Sequence, residues 1–405
     1  MSDQQNWVGP AVQAFTAAVP GPAAPFLRGL RNYLTVPLPA LHSVQWIPAL
    51  QEVEIRLDLA RKLRQNLRSY GLALHFEFTA LELSALLLMP IESLRQLTSN
   101  TLAETRSFYY LTLAGIKDNL KYFLEGHHPH SKDLKRKTPG GGAESIEGTL
   151  GAKSVGRSEA EKQKCRQRDG NVCIFTGAAH PDVCHIVPFA TSSTERNIEL
   201  TNGRFANICS MFLPAADEEY TPVIGNGLGC SDKAWNMLCI STELHRYWAK
   251  PYWAVKFVGI TPAEHVPKQR LTMRFEWLRI KNGDPSRTIS VGDSTACHAM
   301  LAGLTTSSTG EEDACPCLGV EGIVAANCRR TNRPLASGQD FDVVLDTLGD
   351  ALNMKKMLEI QWSLVTLAAM SGAAGPDDTG DDLSEFEFER EAYESANSAV
   401  YDDDR

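Results

Sequence analysis

Apolar side chains fall into a regular rhythm from Leu50 onward. Val53, Leu57, Ala60, Leu63 and Leu67 follow at three- and four-residue steps, with Arg and Lys between them and Gly71 beyond. That spacing predicts an amphipathic helix. Its polar side carries Arg56, Arg61, Lys62, Arg64 and Arg68, a set that is either simply solvated or placed to touch phosphate. A second apolar run, Leu81 to Met89, stops at Pro90. Thr101 and Glu104 have the spacing of a capping box, and Leu102, Phe108, Leu111, Ile116, Leu120 and Phe123 behind them outline one long helix. The rhythm then changes. Val183 to Val187 is rich in β-branched residues and ends at Pro188, which predicts a strand. Met237 to Ile240 is a second short apolar run, and Ser241 is a good N-cap for a helix closed by Pro251. Trp253, Val255 and Phe257 alternate with polar positions, as do Leu271, Met273, Phe275 and Trp277. Residues 190–234 hold Gly203, Pro214, Pro222, Gly225, Gly227 and Gly229 and read as a loop excursion. Near the end, Leu352, Met357, Leu358, Trp362, Val365 and Leu367 predict one face of a last helix, stopped at Gly372.

Composition divides the chain further. Residues 1–44 are Pro- and Ala-rich and irregular, 45–126 form a helical region, and 127–157 are a basic, Gly-rich linker. The helical region either packs on itself or a neighbour or serves dimerisation. The linker contains His127, His128 and His130, either a metal-binding group or solvent-exposed, and the basic cluster Lys135-Arg136-Lys137. Residues 291–340 are a Ser-, Gly- and Cys-rich connection, 341–371 the C-terminal helical segment, and 372–405 an acidic tail with the composition of disorder. Cys297, His298, Cys315, Cys317 and Cys328 in or near that connection match no metal knuckle.

The net charge of −9 belongs to the tail, where twelve Asp or Glu oppose Arg390 and Arg405. The rest of the chain sits at about +1, which neither supports nor excludes a phosphate-binding face. Ten scattered cysteines form no disulfide framework, and six of them lie between Cys165 and Cys239. No apolar run reaches the ~18 residues of a membrane span, and the first residues lack the features of a secretory signal. An intracellular protein, in nucleus or cytoplasm, is the expectation, with no membrane partner.

The chemistry concentrates in three words: Cys184-His185-Ile186-Val187-Pro188-Phe189, Trp235-Asn236-Met237-Leu238 and Leu244-His245-Arg246-Tyr247-Trp248. With the upstream Arg168-Asp169-Gly170, Cys173 and Thr176-Gly177, they place His185, Asn236 and His245 in chain order. This pattern resembles the HNH endonuclease family, in its fungal-type branch, over roughly residues 160–290. The resemblance implies an α+β fold whose core, within 158–290, is a ββα-metal (HNH or His-Me finger) unit. Added strands, a helical N-terminal region and a C-terminal helix would flank it. It implies hydrolysis of DNA phosphodiesters around one divalent ion, Mg, Mn or Zn. His185 would be the general base, Asn236 the residue that orients it, and His245 and Cys184 the metal ligands. An imidazole suits the base, since its ordinary pKa leaves it neutral near pH 7.

Two positions depart from the family pattern. Cys184 stands where an Asp or His ligand is common, and a thiolate is a poor partner for magnesium. Ala249 stands where an Asp often follows the helix histidine. Two rival readings follow: a catalytically silent nucleic-acid or protein-binding module, and a scaffold in which cysteines hold a structural zinc.

Overall fold

The computed structural model describes residues 13, 40–42, 50–69, 75–124, 154–213, 223–249, 252–264, 267–278, 284–298 and 325–372. Met1–Ala374 form one compact unit and Gly375–Arg405 a second, which lies wholly outside the described residues. The linker histidines, Lys135-Arg136-Lys137, Pro251, Cys315 and Cys317 also lie outside them.

The first predicted helix is present as α1, Leu50–Ser69. After strand β1 (Phe78–Thr79), α2 covers Ala80–Leu88 and opens on a capping box between Thr79 and Glu82. α3 (Ile91–Ser99) follows, and Thr101 with Glu104 makes the predicted box at the start of α4 (Leu102–Phe108). The single long helix expected here is broken. A π-turn at Tyr109–Leu113 separates α4 from α5, Ile116–Leu124, and leaves Leu111 exposed. Helical spacing alone does not show such a turn, because an extra residue per turn shifts the later apolar positions onto a new face.

α6 (Glu159–Arg168) leads to β2 (Asp182–His185). The span expected as a loop holds α7, Glu195–Phe212, whose N-cap Thr194 accepts a hydrogen bond from the Asn197 amide. Glycine at 203 is tolerated within this helix and did not end it. β3 (Met237–Ile240) pairs antiparallel with β2, matching Asp182 to Ile240 and His185 to Met237. α8, Thr242–Ala249, carries His245. β4 (Trp253–Pro262) and β5 (Gln269–Trp277) follow as predicted, and β6 (Thr288–Ile289) pairs with β1.

The stretch 341–371 is not helical throughout. Gln339–Leu345 forms β7, which pairs with β5 to complete a three-stranded antiparallel sheet β4-β5-β7. Asp340 and Asp342, alternating with buried Val343 and Leu345, bond to Arg274 and Thr272 across the pair. Helix α9 runs from Leu348 to Ser371, and Gly372 closes it at φ 82°, the left-handed cap that glycine adopts without strain.

α9 is buried on more than one side rather than on the single face expected. Met354, Met357, Leu358 and Leu364 join the main core, Val365 and Ala369 pack on Ala254 and Leu278, and Leu352 points to solvent. A helix apolar around most of its circumference belongs inside the molecule. The same main core takes in Leu57 and Leu63 of α1, Leu83 and Leu86 of α2, Leu244 of α8 and Phe275 of β5. The N-terminal helices and the 158–290 region therefore share one interior. Among the described residues no helix is long and apolar enough to cross a membrane.

Candidate functional site

The site is built on the β2–β3 ribbon. Alternation along β2 sends Val183 and His185 to one face, Asp182 and Cys184 to the other. Val183, Met237 and Cys239 pack against Cys165 of α6 on the first face. Cys184, Leu238 and Ile240 join Leu244 in the main core on the second.

Arg168 and Asp169 lock α6 to this ribbon. The Arg168 guanidinium donates to both Asp169 oxygens, at 2.7 and 2.9 Å, and to the carbonyls of Ala234 and Met237, both at 2.7 Å. Asp169 also accepts the Cys239 amide at 2.8 Å. Gly170 then turns the chain at φ 68°, a conformation that favours glycine. The Arg-Asp-Gly word is thus a structural clasp.

His185 stands at the exit of β2. Its Nε2 lies 2.9 Å from Asp232 Oδ1, and the two side chains are 5% and 4% exposed. Asp232 also accepts the Ser158 amide at 2.6 Å, at the N-terminus of α6. Burial by itself would push the Asp232 carboxyl up. The bond to His185, the Ser158 amide and the nearby Arg157 outweigh it and hold the carboxyl below the ordinary aspartate value. An ionised Asp232 only accepts, so the proton of this bond sits on Nε2. A buried carboxylate thus holds the His185 ring in place.

Asn236 does not touch the dyad's bond but fixes the loop around it. Its amide donates to the carbonyls of Val187 and Ser231, each at 2.9 Å, and its Oδ1 accepts the Val187 amide at 3.0 Å. Its own carbonyl accepts the Ile186 amide at 2.8 Å. Asn236 thereby ties the segment just after His185 to the segment just before β3, next to Asp232. The side chain is fully buried.

His245 is elsewhere. Its Nδ1 lies 3.3 Å from Asp182 Oδ2, at the opposite end of β2 from His185 and on the other face of the ribbon. Both partners are partly exposed. Cys184 shares the Asp182 face but lies in the apolar core, 5% exposed. The structure therefore joins His185 with Asn236 around one loop and pairs His245 with Asp182 at the start of β2. Cys184 and His245 belong to no three-donor cluster among the described residues.

Sequence reasoning missed Asp232 and Asp182. Asp182 precedes the Cys-His pair by two positions, and that same-face spacing is the signal that would have found it. Asp232 sits in a turn-rich stretch, and no local pattern marks it.

A buried His–Asp pair thus stands beside a clasped β-ribbon. Residues 173–256 match the family model described as HNH endonuclease, so the chain carries a domain of that family there. Nothing matches among curated proteins or among solved structures.

HNH domains generally use a divalent metal, and two donor sets bear on it. Cys165, Asp169 and Cys239 bring their donor atoms within 4.8 Å of one another. This set does not fit a cation. The Arg168 guanidinium already occupies it, bonding both Asp169 oxygens and lying 3.4 Å from Cys165 Sγ. The bond to Cys239, together with burial, also pushes the Cys165 thiol up, away from the thiolate a metal requires. The Asp182–His245 pair does fit: a carboxylate oxygen and an imidazole nitrogen, both reachable from solvent, suit Mg, Mn or Zn.

Proposed function

We propose that this chain hydrolyses phosphodiester bonds of DNA, with His185 as general base. The single observation that carries the reading is the His185–Asp232 pair at 2.9 Å within the family-matching segment. His185 Nδ1 takes a proton from water as its oxygen forms the new bond to phosphorus. The bond to the leaving sugar oxygen breaks, and that oxygen leaves with a proton from solvent. Asp232 keeps the imidazole in the required tautomer and stabilises the imidazolium that forms. Asn236 holds the loop that sets their separation. HNH domains generally use a divalent metal, and such an ion beside the phosphate would supply neutralising positive charge there.

Plasmid nicking by the purified full chain across Mg, Mn, Zn and Ni tests this. Wild type should cleave with at least one ion, and His185→Ala should lose cleavage while DNA binding persists, because a base acts in the transition state. Wild type inert with every ion would sink the catalytic reading. The second reading, a silent nucleic-acid or protein-binding module, is favoured by the missing ligand carboxylates, with Cys184 and Ala249 at those positions. Retained DNA affinity without cleavage would establish it.

A further inference from the structure

Beside the dyad, residues 154–158 run as an extended segment pinned at both ends. Ser154 bridges Thr194, the Val155 amide donates to Ser193 O at 3.0 Å, and the Ser158 amide donates to Asp232. This holds Arg157 in a fixed place. Its guanidinium carbon lies 5.8 Å from the centre of the Phe189 ring, and that ring lies 5.8 Å from the ring of His185. Phe189 itself is buried and follows Pro188 into a short 3-10 turn. Arg157, Phe189 and His185 therefore form a contiguous row at the exit of β2.

We propose that Arg157 grips a phosphate of the nucleic-acid backbone and sets it against His185. The inference deepens the nuclease reading and rests on it for the identity of the reaction. Three physical points support it. A guanidinium presents a planar fork of donors matched to two phosphate oxygens. Its seat on an aromatic face orders it in advance and strips part of its water, which lowers the cost of binding an anion. Asp232, whose carboxyl feels the Arg157 charge, already accepts from His185 and the Ser158 amide, so that carboxylate does not depend on Arg157 alone.

The test uses the full chain in a His185→Ala background, so that a short DNA duplex stays intact during binding. Affinity is followed across a salt series for three versions: Arg157 retained, Arg157→Gln and Arg157→Lys. Glutamine keeps much of the aliphatic stem over Phe189 and removes the charge; lysine keeps the charge and loses the fork. The slope of log K against log salt should become shallower by about 0.9 in the Gln version, the signature of one lost phosphate contact, and stay unchanged in the Lys version. With His185 present, Arg157→Gln and Arg157→Lys should both lower kcat/KM for plasmid cleavage, the former by about ten- to a hundredfold. An unchanged slope in the Gln version overturns the proposal, as does a moved pH optimum at constant slope, which would make Arg157 a support for Asp232 instead. If Arg157→Gln fails to fold, the Lys version decides: undiminished kcat/KM overturns the proposal. The binding arm needs no cleavage. A shallower slope in a chain that never cuts DNA would leave the phosphate grip standing and remove only the nuclease reading.

Discussion

On the proposed reading His185 acts on water, Asp232 on His185 and Asn236 on the loop that joins them, and their substitutions should separate cleanly. Asp232→Asn keeps shape and removes the charge that fixes the imidazole tautomer. It should lower kcat on the order of a hundredfold or more with little change in DNA affinity, measured by single-turnover cleavage and by titration. Asn236→Ala should instead act on stability. It leaves the Val187 amide and two carbonyls unpaired inside the molecule, at a cost of about 2–4 kcal/mol, read as a lowered denaturant midpoint. Cys184 falls in neither class. From the sequence it stood in the ligand position, and Cys184→Asp would seem to restore a hard oxygen. In the fold it is a core residue beside Leu238 and Ile240, so an aspartate there buries an unpaired carboxylate. The expected outcome is a strongly destabilised protein with no gain in Mg-dependent cleavage; a stable variant with raised activity would show that the side chain reaches the ion after all.

At the scale of elements, the basic residues of α1 illustrate how packing reassigns charge. Arg56 is buried and donates to the carbonyls of Leu87 at 3.1 Å and of Met89, at the C-terminus of α2. Arg64 and Arg68 share Glu77, and Arg61 reaches the Val291 carbonyl. Four of the five cations that read as a solvated or phosphate-facing stripe are therefore staples between elements. The β5–β7 region carries a second consequence. Glu276 on β5 is 3% exposed, its Oε1 has no hydrogen-bond partner, and burial pushes its carboxyl up to about 7. The folded state then keeps a proton that the unfolded chain, with an ordinary carboxyl, releases between about pH 4.5 and 7. Stability from this group falls as pH rises through that window. Glu276→Gln removes the effect, so the variant should melt higher than wild type at pH 8 and nearly with it at pH 5. Equal differences at both pH values would show that Glu276 titrates normally.

For the molecule as a whole, the shared interior has a direct consequence. The family-matching segment draws its core partners from α1, α2 and α9. A fragment of residues 158–290 should expose that apolar surface and show no cooperative thermal transition, whereas removal of 375–405 should leave the transition of the remainder within a few degrees. A sharply melting fragment would mean the HNH domain folds alone and the other helices are only docked.

The sequence by itself determined what depends on near neighbours. The β2 strand, the β3 run, the β4–β5 alternation, the Thr101–Glu104 cap and the stop at Gly372 all follow from periodicity or from a side chain bonding a backbone group a few residues away. The His-Asn-His words also pointed to the HNH endonuclease family, whose model matches residues 173–256, because those words are local. What only the tertiary structure decided depends on chain segments that meet from far apart. Asp232 reaches His185 across forty-seven residues, and nothing near either residue in the sequence announces that meeting. α7 interrupts what glycine and proline suggested was loop, since packing on the core outweighs a single helix-weakening glycine. β7 depends on pairing with β5, and the Asp340–Arg274 bond that fixes its register exists only once both strands are side by side. The partners of His185 and His245 were hidden for the same reason. Their order in the chain is local information, whereas the carboxylate each meets, Asp232 for His185 and Asp182 for His245, is set by how the segments pack.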